Sequence, residues 1–496
     1  MATIPHRPEL HVTPEAGVLD APAGALLDGD TWHIFHQYRP TPNSPARLAH
    51  QVSAGSPFEW DTCEDVLAPQ GNETLVRAGS VVPADHGVNI YFTSVTESGT
   101  SVHLAHIADL IETTTDVSDD DYAVDPHVRR VGEVVGDRDG FHDFRSPCVV
   151  PGWVTDDDRS EGHRGWLMLS VTGEQTAPKL VLLKSDNGYD WQVLGPVNFR
   201  GHTGLDFDKP LVSPRLIRLR DEVDGEIYDI LMVTVENEGI DISGYLVGRF
   251  HGADFEVRTA FSRIDFGHDF TRPRITNSTP GTVPADQRYH SGSLFGLMNG
   301  IGRFDEASDH PSLQLEGWAN CISLPRIITL QEGLIYQTPP MGLPDQIPET
   351  SGAASWTGLC EIPTGSSLQV EIIDETGDVA AVVTHQGDIL SVDRSMNRYH
   401  VGDHVAQAPL AEGDTDSLSL FVDGSTLEVF ADGGAIAMAS RVYLDGSCRE
   451  FRVRTEGQAE IIRSYERFPR NFDSSALPDY EENEFGEDDV DEGPVR

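Results

Sequence analysis

The chain has 496 residues, 38% hydrophobic and 8% aromatic, which suffices for a large core and for two or three domains. Its 35 basic and 81 acidic side chains leave a formal charge of −46. That balance excludes nucleic acid and anionic membrane surfaces as partners, because phosphate binding needs clustered Lys and Arg.

The opening MATIPHRPEL lacks an apolar core, so no secretion signal is expected. No run of about 18 apolar residues suggests a membrane span. Strand-length segments rich in Val, Ile and aromatics then follow one another: TWHIFHQY (31–38), HGVNIYFTSV (86–95), GWLMLSVT (165–172), KLVLLKS (179–185) and YDILMVTV (228–235). Clusters of Gly, Asp and Pro separate them. Almost nothing before residue 340 keeps a 3.6-residue apolar period long enough for a helix. Regularly spaced strands of this kind predict a propeller, barrel or sandwich, and without exact internal repeats the blades cannot be counted. From about residue 350, SLQVEIID, AAVVTHQ, SLSLFVDGSTLEVFADGGAIAMASRVYL and EFRVRTE alternate and are joined by DG and GG turns, a β-sandwich pattern. The last 26 residues hold ten acidic groups and one Arg, which predicts a disordered, solvating tail.

Five cysteines (Cys63, Cys148, Cys321, Cys360, Cys448) lie far apart and form no CxxC pair. They suit free thiols in a reducing compartment, so the cytoplasm is the expected location. The 19 histidines form no recognised ligand set, and GLMNGIG (296–302) lacks the Lys-Ser/Thr of a phosphate loop. No metal and no cofactor are expected.

The segment RPELHVTPEAGVLDAPAG (7–24) resembles the N-terminal signature of glycoside hydrolase family 32, R-P-x-Y-H-F-T-P-x-x-G-W-x-N-D-P-N-G. It keeps Arg7, Pro8, His11, Thr13, Pro14, Gly17, Pro22 and Gly24. HIFHQYRP (33–40), FHDFRSP (141–147), GYLVGRFHGADF (244–255), IDFGHDFTRP (264–273), GWANCISLPRIITLQEGLIYQTP (317–339) and FVDGSTLEVFADGG (421–434) are similar to further motifs of the same family, in order. The resemblance implies an all-β chain: a five-bladed β-propeller over 1–340, a C-terminal β-sandwich over 341–470, and the acidic tail over 471–496. It also implies a small-molecule carbohydrate ligand at the propeller axis.

The family's retaining chemistry needs a carboxylate nucleophile and a protonated carboxyl acid about 5–5.5 Å apart. By resemblance these roles, with a third transition-state carboxylate, fall on Ala21 for the nucleophile, Ser146 for the transition-state Asp and Val212 for the acid. None of the three can act as a carboxyl group. Nearby, Asp20 replaces a sugar-binding Asn, and Arg77, Arg215 and Arg272 stand where the family has uncharged or acidic residues, while Gln37 and Arg145 are retained. The pocket has thus lost acids and gained arginines, which favours a ligand carrying carboxylate or phosphate. Alternatively, these arginines point outward or pair with nearby Asp. Two functions stay open: a non-catalytic sugar binder, or a glycosidase rebuilt on Asp20, Asp143 or Asp208. Adjacent strand residues face opposite sides, so Asp20 could serve only if a bulge intervenes.

Overall fold

Five four-stranded antiparallel units follow one another along residues 17–338: the second and third are separate sheets, the fourth gains a parallel fifth strand at Asn198–Arg200, and the first and last are joined in one ten-stranded sheet; two five-stranded sheets follow along 354–467. Together they make a five-bladed β-propeller followed by a β-sandwich. The computed structural model describes residues 6–115, 118, 122–237, 239–299, 310–411 and 416–470. The predicted tail, 471–496, lies outside the described residues. Among the described residues no helix is long and apolar enough to cross a membrane. All five cysteines are buried and free.

Each blade begins with its innermost strand: Gly17–Asp28, Glu73–Pro83, Arg145–Trp153, Leu211–Arg220 and Phe270–Ser278 for blades 1 to 5. These five strands contact one another in ring order. The ring closes through parallel pairing of blade 1 with blade 5 at Ala25–Thr276 and of Gly17 with Trp318. Gly24 is required at this crowding, since a Cβ there would lie 2.9 Å from a Val81 methyl of blade 2. The long apolar runs of the sequence form the second and third strands, such as Thr31–Arg39 and Lys179–Ser185, which are covered on both faces by neighbouring blades.

The innermost strands are irregular at one common level. Register shifts occur between Leu19 and Ala21, Arg77 and Ser80, Val212 and Arg215, and Thr271 and Arg274, and opposite Arg145–Cys148. Ser146, Ser213 and Arg272 adopt left-handed φ values of 54°, 53° and 52° in three successive blades. Each precedes a proline, which gives no N–H to the ladder and tolerates the break. Strain of this kind persists where surrounding structure enforces it and is common at functional sites.

The sandwich docks on the propeller through buried charges. His11 Nδ1 lies 2.7 Å from Asp423 Oδ2, and its Nε2 lies 3.2 Å from Glu428 Oε1. Glu428 also accepts hydrogen bonds from Arg326 Nε and Nη2 at 3.1 and 2.9 Å, and Arg326 Nη1 reaches Asp265 Oδ2 at 2.8 Å. Burial alone would push His11 down, but the two carboxylates outweigh it and raise it to about 9. In blade 1 the balance is reversed: burial pushes His33 to about 4 and His36 to about 3.

A pH profile follows from linkage. His11 is raised above its unfolded value of 6.5, so its stabilisation is complete below that pH and is lost as pH rises through about 9. His33 and His36 are depressed, so the unfolded chain takes up protons first, and stability falls as pH drops from 6.5 towards 4. Thermal midpoints measured from pH 4.5 to 9.5 are expected to peak between these limits. His11→Gln should flatten the alkaline limb and leave the acid limb in place; an unchanged alkaline limb would remove His11 as its cause.

Candidate functional site

The axis has two mouths. Ala21, Arg77, Ser146, Val212 and Arg272 lie near the starts of the inner strands and define the upper one. Leu27, Pro83, Pro151, Arg218 and Asn277 lie near their ends and define the lower one.

At the upper mouth the family reaction positions are apolar or neutral. Ala21 is 5% exposed and packs in an apolar cluster with Ala23, Phe35 and Ala78. The Ser146 backbone N–H donates to Thr93 Oγ1 at 3.0 Å, and Val212 pairs with Thr234. A bulge does intervene at Asp20, between Leu19 and Ala21. It turns the Asp20 carboxylate towards the next strand, where Arg39 Nε donates to both oxygens at 3.1 Å, Arg39 Nη2 to one at 2.9 Å, and Gln37 Nε2 at 3.2 Å. Gln37 Oε1 in turn accepts from Ala78 N at 2.9 Å, which ties blade 1 to blade 2. Asp143, at φ 58°, accepts from Thr100 N at 3.1 Å. Asp208 is exposed in a turn whose backbone N–H bonds Asp206.

Three guanidiniums from three blades gather here. Arg272 reaches Asp241 Oδ2 at 3.3 Å and the Asp20 carbonyl at 3.4 Å. Arg145 donates to the carbonyls of Asp143 at 3.0 Å and Gly173 at 2.6 Å. Arg77 is half-buried and has no hydrogen bond or ion pair among the described residues. Burial lowers it first and the Arg272 charge second, with Asp20 opposing; burial likewise lowers Arg145, with Arg77 contributing. These are like charges held together in a partly dry site. Arg215 lies deeper, 2% exposed, and donates to the carbonyls of Gly79 at 3.1 Å and Ser146 at 3.3 Å.

Four participants escape sequence reading: Arg39, Glu236, Asp241 and Arg274. Glu236 and Asp241 face each other across the blade 4 hairpin, and Glu236 acts on Arg145 electrostatically. The signal available was their cross-strand spacing just before the GYLVGRF motif.

A second space opens at the lower mouth. A cavity of about 860 Å³ is lined by residues including Trp32, His163, Trp166, Arg218, Asn277 and Tyr289. The loop 279–291 closes one side, anchored by Thr279 Oγ1 to Asp28 Oδ1 at 2.6 Å and by Arg220 N to the Tyr289 carbonyl at 2.7 Å. Arg218 is compensated there by Asp229 at 3.1 Å, and burial, with Arg218 adding, pushes His163 down to about 4. None of the family reaction positions borders this cavity. In the sandwich, His385, Asp416 and Asp432 bring their ligand atoms within 4.8 Å. Gly387 N donates to His385 Nδ1 at 3.1 Å, so Nε2 carries the proton towards Asp432, and Ile362 N donates to Asp416 at 2.6 Å. Hydrogen bonds within the protein already account for that cluster.

A five-bladed propeller with a bulged, polar upper mouth and a docked sandwich defines the class: a glycoside hydrolase-type scaffold. The chain belongs to glycosyl hydrolases family 32; the family's N-terminal domain matches residues 11–339 and its C-terminal domain residues 369–467. The sucrose-6-phosphate hydrolase of Bacillus subtilis is 24% identical, over 92% of this chain and 93% of the relative. A levanase of the same organism is 23% identical, over 92% of this chain and 69% of the relative. Among solved structures, sucrose-6-phosphate hydrolase from Lactobacillus gasseri superimposes with a TM-score of 0.72 at 16% identity, covering 95% of this chain and 94% of that one. A sucrose complex of a Bombyx mori beta-fructofuranosidase mutant gives 0.67 at 20% identity, covering 92% and 93%.

Proposed function

We propose that the upper mouth binds an anionic fructoside, a sugar phosphate in the simplest case, and that the chain does not carry out retaining hydrolysis. The observation that carries this reading is Arg77: a half-buried guanidinium with no described partner, beside Arg272 and Arg145. A phosphate or carboxylate would accept paired hydrogen bonds from such a group and relieve the repulsion among the three. Several relatives named as sucrose-6-phosphate hydrolases agree with an anionic ligand. Ala21, Ser146 and Val212 provide neither nucleophile nor acid, and general acid catalysis alone normally contributes about 10²–10⁴ in rate. A phosphorylated sugar, together with five free thiols, also supports our placing the protein in the cytoplasm.

Titration calorimetry with sucrose 6-phosphate and sucrose tests the proposal. The phosphorylated sugar is expected to bind at least about tenfold more tightly, with a preference that shrinks as salt rises. Equal affinity would remove the anion preference. Release of fructose, abolished in Asp20→Asn, would replace the inert reading with a hydrolase rebuilt on that carboxylate.

A further inference from the structure

Below the upper mouth two more arginines enter the axis, and nothing described balances their charge. Arg215 and Arg274 are 2% and 4% exposed. Arg274 Nη1 donates to Ser213 Oγ at 3.1 Å and to the carbonyls of Arg272 and Pro273 at 3.1 and 3.0 Å. With the Arg215 bonds to Gly79 and Ser146, the partners are thus main-chain carbonyls and one hydroxyl. Neither arginine forms an ion pair with a described carboxylate, and each keeps a buried Nε–H without a hydrogen-bond partner.

Both side chains line the same small space on the axis, about 20 Å³, together with Ser80, Cys148 and Asn277. Asn277 Nδ2 is committed to the Val81 carbonyl at 2.6 Å. Ser80 Oγ accepts from Val149 N at 3.2 Å, which leaves its own hydrogen as a further donor. The surroundings therefore offer donors in excess. Burial pushes Arg215 down to about 10 and holds Arg274 well below the usual guanidinium value, with the Arg215 charge adding to the effect on Arg274. Guanidinium nevertheless keeps its proton at neutral pH, so two like charges share a water-poor interior. Desolvating such charges without a counter-charge costs several kcal/mol per ion.

We propose that this space binds a monatomic anion, chloride being the physiological one, as the counter-ion of the Arg215–Arg274 pair. Size selects the class: the space accepts a water-sized particle but not a phosphate group or a sugar ring. Charge separates the ion from water, because a water molecule satisfies the donors and leaves both positive charges uncompensated. The site is distinct from the sugar site, whose guanidiniums Arg77, Arg145 and Arg272 lie above it.

Two measurements on the full chain decide this. Crystals soaked in sodium bromide should show an anomalous peak within hydrogen-bond distance of both guanidiniums. In solution, replacing gluconate by chloride at constant ionic strength should raise the unfolding midpoint saturably, by about 2–4 °C at a hundredfold excess over Kd. Sulfate and phosphate should not reproduce the rise. Arg274→Met should abolish the chloride-dependent part whatever its own midpoint, and Cys148→Ala should keep it. No bromide density on the axis, or equal midpoints in chloride and gluconate, would overturn the proposal. A response that appears only in Cys148→Ala would also overturn it, by assigning the counter-charge in the parent to the Cys148 thiolate. Should Arg274→Met not fold, the bromide map of the unmodified protein decides alone.

Discussion

Replacing Glu428 with alanine is expected to lower the thermal midpoint by about 3–6 °C. Glu428 is fully buried and is shared by His11, Arg326 and the Leu324 N–H, the last at 2.7 Å. Its removal leaves a guanidinium and an imidazolium facing each other without a carboxylate between them. Breaking a buried pair in this way costs about 3–5 kcal/mol, whereas the intact pair adds little beyond its own desolvation. Because His11 and Arg326 belong to the propeller and Glu428 to the sandwich, scanning calorimetry should also resolve two transitions where the parent unfolds in one. Glu428→Gln keeps the shape and one acceptor and should lose about half as much. A midpoint within 1 °C of the parent (roughly the size of a neutral surface change) would show that the network contributes nothing net.

Arg77→Ala is expected to weaken binding of sucrose 6-phosphate by about 10–100-fold and to change sucrose affinity little. Hydrogen bonds to a charged partner are worth about 1.5–3 kcal/mol, and Arg77 gives up none within the protein when it is removed. Arg272 is a poorer first choice, since it also holds Asp241 and the Asp20 carbonyl. Calorimetry on the two ligands side by side reads the effect. A parallel loss for both sugars would mean that Arg77 shapes the pocket rather than recognising charge. Retained phosphate affinity would place the anion elsewhere at the mouth.

Local backbone shapes the upper mouth as much as side chains do. Asp20 and Ala21 are neighbours, and in a regular strand they would face opposite sides. The bulge places Asp20 outside the ladder, where Arg39 captures it, and leaves Ala21 in the apolar seam between blades 1 and 2. The substitution at the nucleophile position and the ion pair beside it are therefore one local arrangement.

Much of this was legible in the chain. Apolar runs such as KLVLLKS and YDILMVTV read as strands because the middle strands of each blade are covered on both faces and need hydrophobic residues throughout. His11, Asp423 and Glu428 stood in recognisable motifs, although only the fold brings residues more than 400 positions apart into hydrogen-bond contact. The innermost strands were less legible by pattern, because GVLDAPAGALLD mixes glycine, proline and acid where blades crowd the axis and the backbone bends. Which arginines gather, and which of them remain unpaired, was decided only in three dimensions. Arg77, Arg145, Arg215, Arg272 and Arg274 come from four different blades, and the partners that the last four have are main-chain carbonyls, the Ser213 hydroxyl and a hairpin carboxylate that no spacing along the chain encodes. Periodicity records which face of a strand is buried; it carries no record of the charges that ring closure sets against one another.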